Sequence, residues 1–522
     1  VQAQQQQVMP AEFYGMLGTQ ETQQQGHEQP HEPQVSVERG QVKEPVGPIK
    51  PMTAAEIEEA VRNRRMGTLD NPAVNASDEQ MRIDMNGSMF GRTKGDSEEW
   101  TLRLRMQADN QAHPTLWYRS WWYAEVGPMA FETPQTINVE VVNAGISSKI
   151  LPVWSLNGGP FVRLPESTVI TREGQRNEPR KFTFTVEVPP RTVWIRIAKF
   201  FPYTIRDKNA FLATLEDDPR VKMSVTGQSN EGRNIERVDI TDPNTPDTNK
   251  RRVWIHSLVH PSETTSAFVL EGMIPFLLSD GPAAKTLLEN CIFNIVPMMN
   301  PDGVYHGNYR VNTNLLYNEG GTNLEDEWEF PWQPREDETR SIKDDIEKFM
   351  GTVDSPESNP IEILLNLHSA HGDYPFHFVH DPDWAKPGDQ GVNQEVHDIE
   401  IRWVEFFRAR NQMVAMGRDS KSKLLRDGRR VFIEAMMFDR YSSNPAWRKP
   451  PNNLPPVMAI TFEGTYSYGP PVIEDGELVK ETWATPDDYR QIGRDMALTI
   501  GDYFDLPMPK PEPFPLPEDH NN

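Results

Sequence analysis

The chain is 522 residues long, room for two or more domains of the usual size, about 100–200 residues each. A formal net charge of −24 excludes the basic footprint that nucleic acid or an anionic membrane surface requires. With one cysteine, Cys291, neither an intrachain disulfide nor a thiolate-rich metal centre can form, so a transition metal would have to sit on His, Asp or Glu.

Residues 1–52 are dominated by Gln, Glu, Pro and Gly and bury too little apolar surface to offset chain entropy. They read as an extended arm, either a plain disordered tail or a segment that docks on a protein partner. The start, VQAQQQQV, lacks Met and fits the end left by a removed targeting peptide, which predicts export to a periplasm or the medium, with the cytoplasm as alternative. No apolar run reaches the about 20 residues of a membrane span. A linker over 53–99 opens on a short helix, 54–65, with Thr53 as its N-cap.

Residues 100–200 hold short alternating runs (TLRLRM, INVEVVNA, FTFTVEV, TVWIRIA) broken by turn residues, which predicts an antiparallel β-sandwich. The aromatic group Trp117, Tyr118, Trp121, Trp122 and Tyr123 suits core and interdomain packing better than a ligand-stacking surface. Over 201–506 strands alternate with helices: a strand at 253–259, a helix at 263–278, a strand at 291–296, a helix at 341–350 and a strand at 361–367. That order predicts an α/β domain with a largely parallel sheet flanked by helices, and ligands beyond the carboxyl ends of its strands. A Pro-rich extended tail, 507–522, closes the chain.

The chemistry gathers at those strand ends. The run VWIHSLV leads into His260-Pro-Ser-Glu263, a nitrogen and a carboxylate three apart where a helix begins. IEILLNL ends in His368, which with His260 and Glu263 completes the His, His, Glu set of a catalytic zinc site; His371, one step into the loop, is the competing ligand. VMAITF delivers Glu463, a carboxylate placed to take a proton from water and return it to a leaving nitrogen. In Asn300-Pro-Asp-Gly303 and Gly307-Asn-Tyr-Arg310, Arg310 is the candidate for stabilising an oxyanion, although an ordinary turn also accounts for NPDG.

H-x-x-E, then NPDG with a downstream Arg, then His, then Glu: in that order the motifs resemble the zinc metallocarboxypeptidase family. WYRSWWYAEV, the PYT at 202–204, GQSNEGR at 227–233 and HPSE resemble most its cytosolic-carboxypeptidase branch, over residues 100–506. The resemblance implies a peptide or protein substrate, one Zn²⁺ per chain on His260, Glu263 and His368, a carbonyl polarised by Arg310, and water attack promoted by Glu463. It also implies a substrate-capping tyrosine, for which Tyr441 is the candidate and Tyr466 and Tyr468 compete.

Two departures from the family pattern stand out. Ser262 replaces the usual Gly, a mild change at a helix start. Where relatives carry Asp-Leu-Asn-Arg, whose Asn-Arg pair grips the terminal carboxylate, this chain reads Thr322-Asn323-Leu324-Glu325. Substrate-binding positions Asn323 and Glu325 therefore oppose a carboxylate ligand with a carboxylate. Three outcomes follow: Arg340 or Arg310 takes over the grip and the enzyme remains a carboxypeptidase; Glu325 binds an amine, giving an amidase or endopeptidase of modified or cationic peptides; or the fold serves as a catalytically reduced binding module.

Overall fold

The computed structural model describes residues 72–76, 78–83, 88–94, 97–109, 118–129, 131–145, 149–174, 178–312, 321–329, 331–383, 390–422 and 431–517. The expected arm, the helix at 54–65 with its Thr53 cap, and Trp117 lie outside the described residues.

Strict alternation produces a half-buried strand, and the sandwich follows from it. In Gln135–Ala144, Ile137, Val139 and Val141 are buried, and in Arg180–Val188, Phe182, Phe184, Val186 and Val188 point the same way. These two strands sit in a five-stranded sheet ordered Ser88–Lys94, Ser97–Arg105, Gln135–Ala144, Arg180–Val188, Thr171–Glu173, in which one pair, Ser97–Arg105 with Gln135–Ala144, is parallel. The facing sheet is antiparallel throughout, in the order Ala73–Asn75, Tyr123–Gly127, Ile195–Ala198, Val153–Leu156, Val162–Arg163. Ala73–Asn75 and Ser88–Lys94 fall in the stretch read as linker and are strands of the two sheets.

The second half is built on an eight-stranded sheet ordered Val221–Gln228, Asn234–Ile240, Cys291–Val296, Arg251–Ser257, Ile361–Ala370, Met458–Thr465, Phe376–His380, Ser420–Ser422. Its four central strands, from Cys291–Val296 to Met458–Thr465, are parallel. Every residue of Cys291–Val296 and Met458–Thr465 is buried, as expected of strands covered on both faces. The long helices of this half include Thr265–Leu277, Asp337–Met350, Gln390–Arg410 and Pro486–Tyr503. Thr265–Leu277 and Pro486–Tyr503 meet through glycine: a Cβ on Gly272 would lie 1.9 Å from the Arg490 carbonyl oxygen, and one on Gly493 1.9 Å from that of Val269. Only residues without a side chain let the two backbones approach so closely.

Trp121 and Trp122 point in opposite directions at the junction. Trp122 joins the sandwich core with Leu104, Val139 and Ile197, whereas Trp121 joins the core of the large sheet with Phe200, Phe268 and Tyr466. Core and interdomain packing thus accounts for both rings. The described part of the C-terminal tail runs without regular structure, its Pro509 and Pro515 carbonyls accepting from Arg410 and Gln412. Among the described residues no helix is long and apolar enough to cross a membrane.

Candidate metal centre

Parallel register brings the key residues together. His368 stands directly opposite Glu463 on adjoining strands, and Ser257, three residues before His260, stands opposite Leu367. Between Ser257 and His260 the backbone turns through Leu258, whose φ of +53° lies in the left-handed region that leucine disfavours. NPDG braces this turn. Asn300 N–H donates to the Leu258 carbonyl at 3.2 Å and its side-chain amide to that of Val259 at 3.0 Å, while its Oδ1 accepts from Gly303 N–H at 2.9 Å. The ordinary-turn reading of NPDG gives way to a structural tie between Arg310's loop and His260's turn. Ser262 fits the same tie, its hydroxyl donating to the Tyr309 carbonyl at 2.9 Å.

His260, Glu263 and His368 are each about as buried as a core residue, 3% exposed, and their ligand atoms lie within 4.8 Å of one another. The two Nδ1 atoms face each other at 3.0 Å, and Glu263 reaches His260 Nδ1 at 2.9 Å and His368 Nδ1 at 2.8 Å. The outer nitrogens are engaged elsewhere. His260 Nε2 donates to Asn323 Oδ1 at 2.9 Å, and His368 Nε2 lies 3.4 Å from Glu325 Oε2. Each outer partner favours a proton on Nε2 and leaves the Nδ1 lone pair facing inward, as metal-binding imidazoles are commonly oriented. Around a zinc ion with bonds of about 2.0–2.2 Å, tetrahedral ligand atoms lie only slightly farther apart than these atoms do. The donor set fits zinc.

The two imidazoles are perturbed in opposite directions. Burial, with the Arg310 charge, pushes His260 down to about 4. Burial opposes the charged form of His368 too, yet Glu263 and Glu325 hold it well above the ordinary histidine range. Glu263, although desolvated, is drawn far below the usual carboxylate range by the two imidazoles. Burial and then the Glu263 charge push Glu463 up to about 8, and its Oε2 is buried with no hydrogen-bond partner. Arg310 acts on both His260 and Glu463, and its backbone N–H, with that of Val311, donates to Asp109 Oδ2 at 2.8 and 3.3 Å.

Other expected residues sit differently. The ring of His371 is turned away from the cluster, its Nε2 2.9 Å from the Tyr309 hydroxyl, so it does not join the three ligands. Tyr441 is fully buried against Trp447, ring centroids 5.0 Å apart, and the charges acting on its hydroxyl are Arg440 and Glu347 rather than those of the cluster. The structure does not bring it to His260, Glu263 and His368. Tyr466 lies nearer, its hydroxyl donating to the Ser262 carbonyl at 3.3 Å; Tyr468 packs at a tilt against Tyr374 and Trp483. Arg340 pairs with Asp337 at 2.5 Å and is 42% exposed, away from any role as replacement grip.

In the 322–325 segment Leu324 is wholly buried and Asn323 holds His260. Glu325 is not aimed at a substrate end: it lies against His368 and accepts from Asn366 Nδ2 at 3.1 Å, and the same amide reaches Glu434 at 3.3 Å. Asn366, Glu434 and Asp109 carried no motif that sequence reading could seize, since each is an isolated polar residue in an apolar or irregular stretch.

Comparison with known proteins agrees with the fold. The family model described as zinc carboxypeptidase matches residues 209–397, a span that takes in His260, Glu263, Arg310 and His368. Among curated proteins, cytosolic carboxypeptidase 2 of Xenopus tropicalis is 36% identical over 135 residues, 24% of this chain and 14% of that protein. Cytosolic carboxypeptidase 6 of Mus musculus is 46% identical over 86 residues, 16% of each. The matches thus span less than a fifth of either relative's length. A solved metallo-carboxypeptidase from Burkholderia cenocepacia superposes with a TM-score of 0.61 at 19% identity, covering 83% of this chain and 99% of that one, a likeness of fold. The expectation of export is corrected by these relatives, which are cytosolic carboxypeptidases by name. Residues 209–397 thus match the zinc carboxypeptidase family model, and the chain shares its fold with the solved metallo-carboxypeptidase.

Proposed function

We propose that this chain hydrolyses peptide bonds as a zinc-dependent metallocarboxypeptidase, with His260, Glu263 and His368 as zinc ligands. The observation that carries the reading is the pair of inward Nδ1 atoms 3.0 Å apart, bridged by Glu263 while Asn323 and Glu325 occupy the outer nitrogens. Zinc bound there supplies a Lewis acid and brings water toward a pKa of about 7. Glu463 takes a proton from the attacking water and returns it to the leaving nitrogen; its buried oxygen without a hydrogen-bond partner leaves it free to do so. Arg310, held by its backbone on Asp109, presents a fixed cation to the developing oxyanion. Asn323 and Glu325 orient the two imidazoles.

Metal analysis of purified protein should find about one zinc per chain, and His368→Ala should lose it. Glu463→Gln should keep the zinc while turnover of peptides falls at least a hundredfold, on the scale of a lost acid–base group. Protein prepared without chelator that holds no metal would overturn the reading, as would full turnover in Glu463→Gln.

A further inference from the structure

Among the described residues four lysines are deeply buried: Lys199, Lys208, Lys250 and Lys343. Three have an oxygen acceptor. Lys208 pairs with Glu236, Lys250 Nζ donates to Thr241 Oγ1 at 2.7 Å and the Asp242 carbonyl at 2.6 Å, and Lys343 Nζ donates to the Trp332 carbonyl. Lys199, at 2% exposed, has none; its Nζ is buried without a hydrogen-bond partner. Aromatic faces surround it instead, with the Tyr466 ring centroid 4.2 Å from Nζ and that of Tyr309 at 5.6 Å. Two ring faces attract a cation but replace only part of the hydration an ammonium loses on burial.

The place of this ammonium is as telling as its lack of a partner. Lys199 follows the sandwich strand Ile195–Ala198, so the sandwich half delivers it to the catalytic half. Both tyrosines beside it touch the metal turn, Tyr466 through the Ser262 carbonyl and Tyr309 through the Ser262 hydroxyl. Burial pushes Lys199 down to about 7 against the raising charge of Glu263, and Lys199 is the foremost charge acting on His371. His371, intermediate in exposure, meets the Tyr309 hydroxyl through Nε2 at 2.9 Å. Meanwhile Asn323 and Glu325 lie against the two histidines, and Arg340 lies on the surface.

We infer that Lys199 is a specificity-determining residue, the cation that binds a carboxylate of the peptide substrate beside the metal. The inference rests on the peptidase reading of the site. A carboxylate seated against Nζ would complete the coordination that the tyrosine faces leave unfinished and would meet an ammonium already stripped of water, where a charge-assisted hydrogen bond is strong. The carboxylate is either the substrate's terminal one or that of the neighbouring acidic side chain.

Binding to zinc-loaded Glu463→Gln protein separates this from turnover. Calorimetry would compare acetyl-Ala-Gln-Phe as free acid and as amide, and the amides of acetyl-Ala-Glu-Phe and acetyl-Ala-Gln-Phe. At least one anionic peptide should bind tenfold or more tightly than its neutral counterpart: preference for the free acid identifies the terminal carboxylate, and preference for Glu over Gln the side chain. Adding Lys199→Met should cut that preference below threefold, while Lys199→Arg should retain most of it. Lys199→Met keeps a long stem among the rings and removes the charge; if it fails to fold, Lys199→Gln carries the same comparison. Absence of any anionic preference in the parent overturns the inference, and so does a preference that survives loss of the lysine. Failure of the peptidase reading registers separately, as missing zinc or absent turnover in the wild type.

Discussion

The two halves of this molecule contribute to one site in different ways. The large sheet presents His260, His368 and Glu463 at the carboxyl ends of parallel strands, so each functional residue ends a continuous apolar run that is buried on both faces. The sandwich contributes no strand end of that kind. Residues in and beside its irregular segments reach across: Gln80 Nε2 donates to the Pro261 carbonyl at 3.2 Å, Arg82 donates to Asn308 Oδ1 at 2.9 Å, Asp109 takes the Arg310 and Val311 amides, and Lys199 enters beside Ser262. On the proposed function, one half holds the chemistry and the other holds the loops that aim it. A sandwich is therefore more than a passenger here, because Arg310 and the His260 turn are both tied to it.

The sharpest way to break that comparison is at the junction, where neighbouring tryptophans serve opposite cores. Trp121→Ala and Trp122→Ala should each cost about 3–5 kcal/mol, the usual penalty for emptying a buried aromatic site. Their consequences should differ. Loss of Trp121, whose Nε1 donates to the Gln80 carbonyl at 2.9 Å, should depress activity along with stability, because Gln80 also holds Pro261. Loss of Trp122 should be felt first in the sandwich, as exchange of amide hydrogens in Gln135–Ala144 and Arg180–Val188. Equal loss of protection in both halves in both variants would mean that the halves unfold as one unit.

A second test lies wholly within the catalytic half. Gly272→Ala should destabilise by about 1–3 kcal/mol, since its Cβ must push away the Arg490 backbone rather than a flexible side-chain tip. Thermal unfolding should report it, with Trp122's surroundings in the sandwich unaffected. An unchanged melting temperature would show that the two helices do not approach as closely as described.

How far the sequence foretold this division can be read from particular residues. The alternation in FTFTVEV and the unbroken apolar VMAITF announced a sheet with one buried face and a sheet with two, because burial selects residue type directly. His260, Glu263, His368 and Glu463 were legible for the same reason: each follows a strand signal. Glu325 was visible but its contact with His368 was not, since an irregular segment gives no sign of which way its side chains point. Tyr441 was chosen on its spacing from Glu463, and spacing carries no information about which wall of the core a π-helical turn faces. Gln80, Asp109 and Lys199 left no signal because their role arises from contacts distant in sequence, 201 residues apart for Asp109 and Arg310.

Asp109 offers a finer test, through activity. Asp109→Ala removes the acceptor of two backbone amides and should lower kcat about tenfold or more with zinc content unchanged, because Arg310 loses its fixed position. Asp109→Asn keeps one acceptor oxygen and should recover much of that loss. A fall in zinc content in Asp109→Ala, or an identical deficit in both variants, would show that Asp109 holds the fold and not the arginine.

The smallest expected effect belongs to Arg340, and its smallness is informative. Its guanidinium meets Asp337 and the carbonyls of Pro334 and Arg335, all at the start of its own helix, with nearly half of the side chain in water. An exposed pair of this kind contributes about 0–1 kcal/mol and carries nothing to the metal cluster. Arg340→Ala should therefore leave both the melting temperature and the KM for free-acid peptides within experimental scatter, while Lys199→Met shifts the latter. If instead KM rises in Arg340→Ala and holds steady in Lys199→Met, the grip on the substrate belongs to the helix Asp337–Met350 and not to the sandwich, and the division of labour between the halves reverses at its most specific point.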